Sequence, residues 1–298
     1  MRIVTRPDFD GVVCAVLLYE ALDVNEPVLW VEPNDLQKGL VEVRDEDVIA
    51  NLPFHEKCRL WFDHHYTNRT NMPFEGAFKI APSAAGIIFE YYKDRFQRDY
   101  SELIRVTDKI DSADLTLDEV LRPENDDYIL LSMTILNNDE PDTSYWNRLV
   151  DLLRKNRIQN VLADPEVKLR CQAVIDQNEK YHEYLKANTR LEGHVSITDF
   201  RGLSKTPVGN RFLVYSLYPE SVVNMRIRYE DQRKEIVVIN VGHSIFKRNC
   251  NVNVGLMLAE FGGGGHRGAG STRFPASKAD EYINRIIEIL SKNENNES

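Results

Sequence analysis

The sequence predicts an α/β protein: a parallel-sheet domain, a long helical connector and a smaller α/β C-terminal domain. Three observations carry this. Short apolar strand runs alternate with helix-period runs near the N-terminus, a mostly helical stretch follows to about residue 190, and strands then return. Residues 1–160 read as the first domain, 161–190 as the connector and 191–298 as the second domain.

The elements follow in order. "RIVT" is a strand, and "GVVCAVLLYEALD" has helical spacing behind the Asp8–Asp10 turn, where Asp10 reads as a candidate N-cap. "EPVLWVEP" reads as a second strand, and "NDLQKGLVEV" as a short helix capped by Asn34. "EDVIAN" and "CRLWFDHH" complete a parallel set, because helices between strands imply crossovers. "APSAAGIIFEYYKDRF", "SELIRVTDKIDSAD", "DYILLSMTIL", "SYWNRLVDLLRKN" and "PEVKLRCQAVIDQNEKYHEYLKAN" are helices, the last polar on one face as a connector would be. Beyond it, "VVNMRIRYE" and "EIVVINVGHS" are strands among the helices "GNRFLVYSLYP", "NVGLMLAEFG" and "KADEYINRIIEIL". The tail "SKNENNES" is expected to fray.

Composition bounds the function. A formal net charge of -10 argues against a protein that coats duplex nucleic acid, while leaving room for a local basic pocket. No apolar run is long enough to predict a membrane span, and the N-terminus lacks a signal-peptide pattern. The cysteines Cys14, Cys58, Cys171 and Cys250 form no CxxC pair and read as reduced thiols, so a cytoplasmic location is expected.

In parallel sheets, functional groups gather beyond the carboxyl ends of the strands. "TRPDFD", "NLPFH" and "DHHYTN" each follow a strand run, so all three reach one sheet edge. Asp8 and Asp10 repel each other unless a cation lies between them. Asp63, His64 and His65 add a carboxylate and two imidazoles, a donor set that suits Mn2+, Fe2+, Co2+ or Zn2+, with Mg2+ where oxygen dominates. The run "GGGGHRGAGS" (262–271) reads as a phosphate cradle: glycines admit backbone N–H groups close to a ligand, and His266 and Arg267 add donors.

Together, DxDG after the first strand, DHH after a later one, a helical aspartate and a C-terminal GGGH run resemble the DHH phosphoesterases with their DHH-associated C-terminal domain. Within that family the chain looks most like the exopolyphosphatase-related branch. The resemblance covers the chain from Asp8 to Gly270. It implies a hydrolase requiring one or two divalent ions, Mn2+ foremost, with Mg2+, Co2+ or Zn2+ as alternatives. It implies metal ligands at Asp8, Asp10, Asp63, His64 and Asp111, with Asp108 the second choice for the last role. Arg248, Gly263, Gly264, Gly265, His266 and Arg267 would bind substrate phosphates, and His65 and Asp63 would serve the chemistry.

Two positions depart from the family pattern. Arg6 stands where a histidine is usual, and Asn51 where a bridging aspartate is usual, while Asp47 lies at the wrong strand end. The ligands Asp10, His64 and Asp111 are intact, and Arg6 can hold a phosphate by fixed charge. The expected function is therefore metal-dependent hydrolysis of a small phosphorylated substrate in a cleft between domains. A polyphosphate-like or short nucleotide substrate is favoured, because only Phe246, Phe261 and Phe274 offer stacking surfaces near the glycine run. The alternatives are a phosphate-binding module that has lost turnover and a short-oligonucleotide exonuclease. Neither a duplex nucleic acid nor a membrane is an expected partner, and a homodimer is allowed.

Overall fold

The computed structural model describes residues 1–135 and 141–297. The chain divides into two compact units: Met1–Leu115 with Pro123–Ala173, and Thr116–Arg122 with Val174–Ser298. In chain order the first strands and helices are β1 (Arg2–Thr5), α1 (Phe9–Ala21), β2 (Leu29–Trp30), α2 (Pro33–Gln37), β3 (Asp47–Ala50), β4 (Leu60–Asp63) and β5 (Gly76–Phe78). Then come α3 (Ala84–Tyr91), α4 (Ser101–Asp111), α5 (Leu117–Leu121), α6 (Asp127–Met133), α7 (Thr143–Lys155), α8 (Ile158–Leu162) and α9 (Pro165–Asn188).

The first unit holds a five-stranded, all-parallel sheet in the order β2-β1-β3-β4-β5. Every residue of β3 and β4 is buried, as expected of parallel strands covered on both faces. Val4, Ile49, Leu52 and Trp61 form one apolar cluster, into which Phe54 and Phe78 pack. Helix α1, buried nearly throughout, packs against α3, α4 and α7. Asp47, at the amino end of β3, is buried and held by Arg2 through Nε at 2.9 Å and Nη2 at 2.7 Å. Its role is structural.

Several local expectations are corrected. Asp8, not Asp10, caps α1, accepting from the Gly11 N–H at 2.8 Å, and Asp10 sits in the first helical turn. Glu32, not Asn34, occupies the N-cap of α2, and it makes no side-chain cap bond. Strand β5 was not anticipated, since "GAF" is too short to show alternation. Leu136, at the end of the predicted helix "DYILLSMTIL", and Ser298 lie outside the described residues.

The second unit contains β6 (Thr189–Glu192), β7 (Val195–Asp199), α10 (Leu213–Leu217), β8 (Val223–Tyr229), β9 (Ile236–His243), α11 (Val254–Ala259), β10 (Gly264–His266), β11 (Ala269–Pro275) and α12 (Ala279–Lys292). Its six-stranded mixed sheet runs β10-β11-β9-β8-β7-β6. Val223, Met225, Ile227, Val237, Ile239 and Val241 alternate inward and pack with residues of α11 and α12. The tail does not fray as expected. Asn293 Oδ1 accepts from the Asn251 N–H at 2.7 Å, and Asn296 Oδ1 accepts from the Asn253 N–H at 2.6 Å.

Candidate metal centre

The predicted convergence at one sheet edge is present within the first unit. Strands β1, β3 and β4 run parallel, so the residues just past them (Arg6 to Asp8, Asn51, and His64 with His65) gather together. Gly11 makes the first turn feasible: a Cβ there would lie 1.9 Å from the Arg6 carbonyl oxygen.

Asp10, in the first turn of α1, is buried against the start of α3, where its carboxylate accepts from the Ala84 N–H at 2.9 Å and the Ala85 N–H at 2.8 Å. A helix N-terminus is a favourable seat for an anion. Burial still pushes the Asp10 carboxyl above its ordinary range, with His64 opposing. Ser83 caps α3 through the Gly86 N–H at 2.9 Å and donates its hydroxyl to Asp108 at 2.5 Å. Asp108 is thereby tied to the α3 cap, and the aspartate facing His64 is Asp111.

His64 Nδ1 lies 3.0 Å from the Ala81 carbonyl oxygen. A carbonyl only accepts, so Nδ1 carries a proton there and neutral imidazole turns an Nε2 lone pair inward. That nitrogen is buried without a hydrogen-bond partner, 3.3 Å from Asp111 Oδ2 and 3.9 Å from Asp10 Oδ2. One ligand atom from each of Asp10, His64 and Asp111 lies within 4.8 Å of the others. A buried lone pair, the buried Asp10 carboxylate and the exposed Asp111 carboxylate converge here and repel unless a cation is shared, so the donor set fits a divalent ion.

Asp63, His64 and His65 form a second such cluster. Asp63 is fully buried, and both its oxygens are engaged: Oδ1 with His65 Nδ1 at 2.8 Å, Oδ2 with the Asn68 amide at 2.8 Å. Burial opposes charging of His65, but the Asp63 hydrogen bond and the Asp63 charge together outweigh it and the imidazole pKa is raised. With Nδ1 engaged by Asp63, Nε2 is the other ring nitrogen available to a partner.

Around Asp8 the situation differs. Its Oδ1 accepts from Gly11 and, at 2.9 Å, from the Asn51 amide, while Arg6 Nε stands 3.3 Å from Oδ2. About 30% of the Asp8 side-chain surface reaches solvent, yet the protein packed around it pushes its carboxyl up to about 6; Arg6 opposes and Asp10 adds. Asn51 adopts φ 55° to reach this position. Left-handed backbone is accessible to asparagine at modest cost.

The glycine run lies in the second unit and is a hairpin, β10 paired antiparallel with β11. A Cβ on Gly263 would fall 2.3 Å from the Ser271 carbonyl oxygen, and one on Gly265 2.4 Å from that of Ala269, so close backbone packing alone requires these glycines. His266 is exposed in this hairpin. Arg267 pairs with Glu297 of the tail at 3.2 Å, a partner the sequence reading did not anticipate, and Arg248 Nε donates to the Ile245 carbonyl at 3.3 Å.

Sequence reasoning also missed Asn68 and Ser83. Serine just before an apolar helical run is a capping signal and could have revealed Ser83. Nothing marks Asn68.

A carboxylate-imidazole cluster beyond parallel strands, beside a fixed arginine, is a donor set that can hold a divalent ion next to an anion-binding side chain. No family sequence model matches the chain, and no curated protein does. Among solved structures, the chain is similar to PggH, a pGpG-specific phosphodiesterase from Vibrio cholerae: 30% identity over 98% of this chain and 99% of that one, TM-score 0.85. An exopolyphosphatase-related protein from Bacteroides fragilis shares the fold at 14% identity, covering 98% and 91% of the two chains, TM-score 0.54. So does the manganese complex of RecJ from Thermus thermophilus, at 13% identity, 98% of this chain and 52% of that one, TM-score 0.59. The chain belongs to the DHH phosphoesterase family. It is a hydrolase.

Proposed function

We propose that this protein is a phosphodiesterase that hydrolyses a short linear dinucleotide such as pGpG, with a single divalent ion at Asp10, His64 and Asp111. The observation that carries the metal assignment is the buried, unpartnered His64 Nε2 facing two carboxylates. The likeness to PggH at 30% identity supports the substrate class. Mixed oxygen and nitrogen donors favour Mn2+ as the ion to test first. The unpaired cysteines are in keeping with a cytoplasmic location.

Bound there, a divalent ion would supply Lewis acidity and a water acidic enough to attack phosphorus. The chain's own groups do the rest. Arg6, anchored by Asp8, offers a guanidinium edge to a phosphate oxygen and stands in for a second cation. Asn51 holds Asp8 as a neutral donor where a carboxylate would call for another ion. Asp63 and Asn68 fix the His65 ring so that its Nε2 meets the substrate, as a hydrogen-bond donor or for proton transfer to the departing ribose oxygen. Water adds to phosphorus, the bond to that oxygen breaks, and two mononucleotides leave.

The test is product release with Mn2+ against pGpG, pyrophosphate, short polyphosphate, a cyclic dinucleotide and a nucleotide bisphosphate, with His64→Ala as control. Turnover of pGpG well above the others, absent in the control, is expected. Folded, metal-loaded protein that binds pGpG but turns over nothing would make it a binding module, with Arg6 and Asn51 as the reason. Preference for pyrophosphate or polyphosphate would overturn the substrate assignment.

A further inference from the structure

The sheet of the second unit has two faces of opposite character. On β8, Val223, Met225 and Ile227 enter the core, so Asn224, Arg226 and Arg228 take the other face. Register sets Arg226 between Thr198 of β7 and Asn240 of β9, with Ser271 of β11 next in the row. Arg228 stands opposite Val238, with Arg273 beyond. No acid occupies these positions.

The two central arginines are poorly satisfied. Arg226 Nη2 reaches Asn240 Oδ1 only at 3.4 Å, and its Nε is buried without a partner. Arg228 donates to the neighbouring Tyr229 carbonyl at 3.1 Å. Among the described residues, neither forms an ion pair with a carboxylate. The acid nearest in sequence to Arg228, Glu230, is engaged by Arg273 at 2.8 Å. By contrast Arg201, just past the end of β7, is matched by Asp199 at 2.6 Å. Burial first and the Arg226 charge second hold the Arg228 pKa below its ordinary value, with Glu230 opposing.

Two half-buried guanidinium groups on alternate residues of one strand stand roughly 7 Å apart along it. Together they present a set of donors that a tetrahedral dianion can accept, whereas water alone leaves their mutual repulsion uncancelled. We propose that the polar sheet face of the second unit is an oxyanion site, in which Arg226 and Arg228 bind a phosphoryl group of a small phosphorylated ligand. Asn240 positions Arg226 from the adjacent strand. The choice of ligand class rests on the proposed phosphodiesterase reading, but the site itself requires no metal.

The probe is inorganic pyrophosphate, titrated calorimetrically into metal-stripped, full-length protein at fixed ionic strength. Wild type, Arg226→Gln, Arg228→Gln, the double variant and Arg273→Gln are compared, with Tm measured for each. The double variant is expected to lose affinity by about tenfold or more, because charge-assisted bonds are the strong ones. Arg273→Gln, exposed and already paired, should bind within about twofold of wild type. Removing two uncompensated like charges should leave Tm unchanged or raise it. Equal affinity in wild type and double variant, or no binding by wild type, overturns the proposal. A fall in Tm with affinity unchanged assigns both arginines to the fold. Failure here is separable from failure of the phosphodiesterase reading, since no metal or turnover enters the measurement.

Discussion

Asp8 and Asp10 stand two residues apart, yet they occupy opposite electrical situations. Asp10 shares its place with a buried imidazole lone pair and Asp111, a group of donors that only a cation completes. Asp8 is already answered by the Gly11 N–H, the Asn51 amide and the Arg6 guanidinium, all supplied by the chain itself. In the proposed one-ion reading, one half of the site calls for an ion and the other half replaces one. The comparison teaches that a family pattern transfers residue by residue: changing two side chains turns a carboxylate from a candidate ligand into an ion-pair partner.

The sharpest way to break the comparison is at His64. His64→Ala should abolish metal retention and lower kcat by about a thousandfold or more, since a bound ion is worth several kcal/mol at about 1.4 kcal/mol per tenfold. Metal content by mass spectrometry and single-turnover kinetics check it; full metal retention would sink the ligand assignment.

His65→Asn should cost kcat about a hundredfold or more with metal content unchanged, the range for a lost positioned acid or base. Parallel loss of metal would instead make His65 a ligand.

The Asp8 half can be converted. Asn51→Asp replaces a donor by a like charge at a 2.9 Å contact, so the metal-free protein should lose about 1–3 kcal/mol of stability. Added Mn2+ should restore it, and combining the change with Arg6→His should raise metal content from one ion to two. Two ions already bound by wild type would remove the distinction between the halves.

The smallest effect is expected at Ser83, whose hydroxyl caps the helix that supplies the Asp10 donors. Ser83→Ala should cost about 1 kcal/mol of stability. It should also weaken Mn2+ affinity about tenfold by loosening the surroundings of a ligand. An unchanged metal isotherm would confine Ser83 to capping.

Much of this molecule was legible in its sequence for specific reasons. The strand runs ending at Thr5, Ala50 and Asp63 lie close together in the chain, helices separate the first two and a loop the last two, and their parallel pairing brings all three carboxyl ends to one edge. Asp8, Asp10, His64 and His65 are therefore legible at that edge from local pattern alone, and Asp47, at the amino end of β3, lies at the opposite one. Asp111 is preferred to Asp108 on resemblance alone, and packing shows where Asp108 goes, to the Ser83 hydroxyl.

What tertiary structure decided was pairing. Whether Asn51 is a lost ligand or a donor to Asp8 depends on a contact across 43 residues of chain. That Arg267 is held by Glu297 likewise depends on a partner outside any short window. Local sequence sets which groups a strand end presents. It carries no record of which distant side chain satisfies them, because hydrogen bonds and charge pairs form in space and the chain between the partners leaves them open.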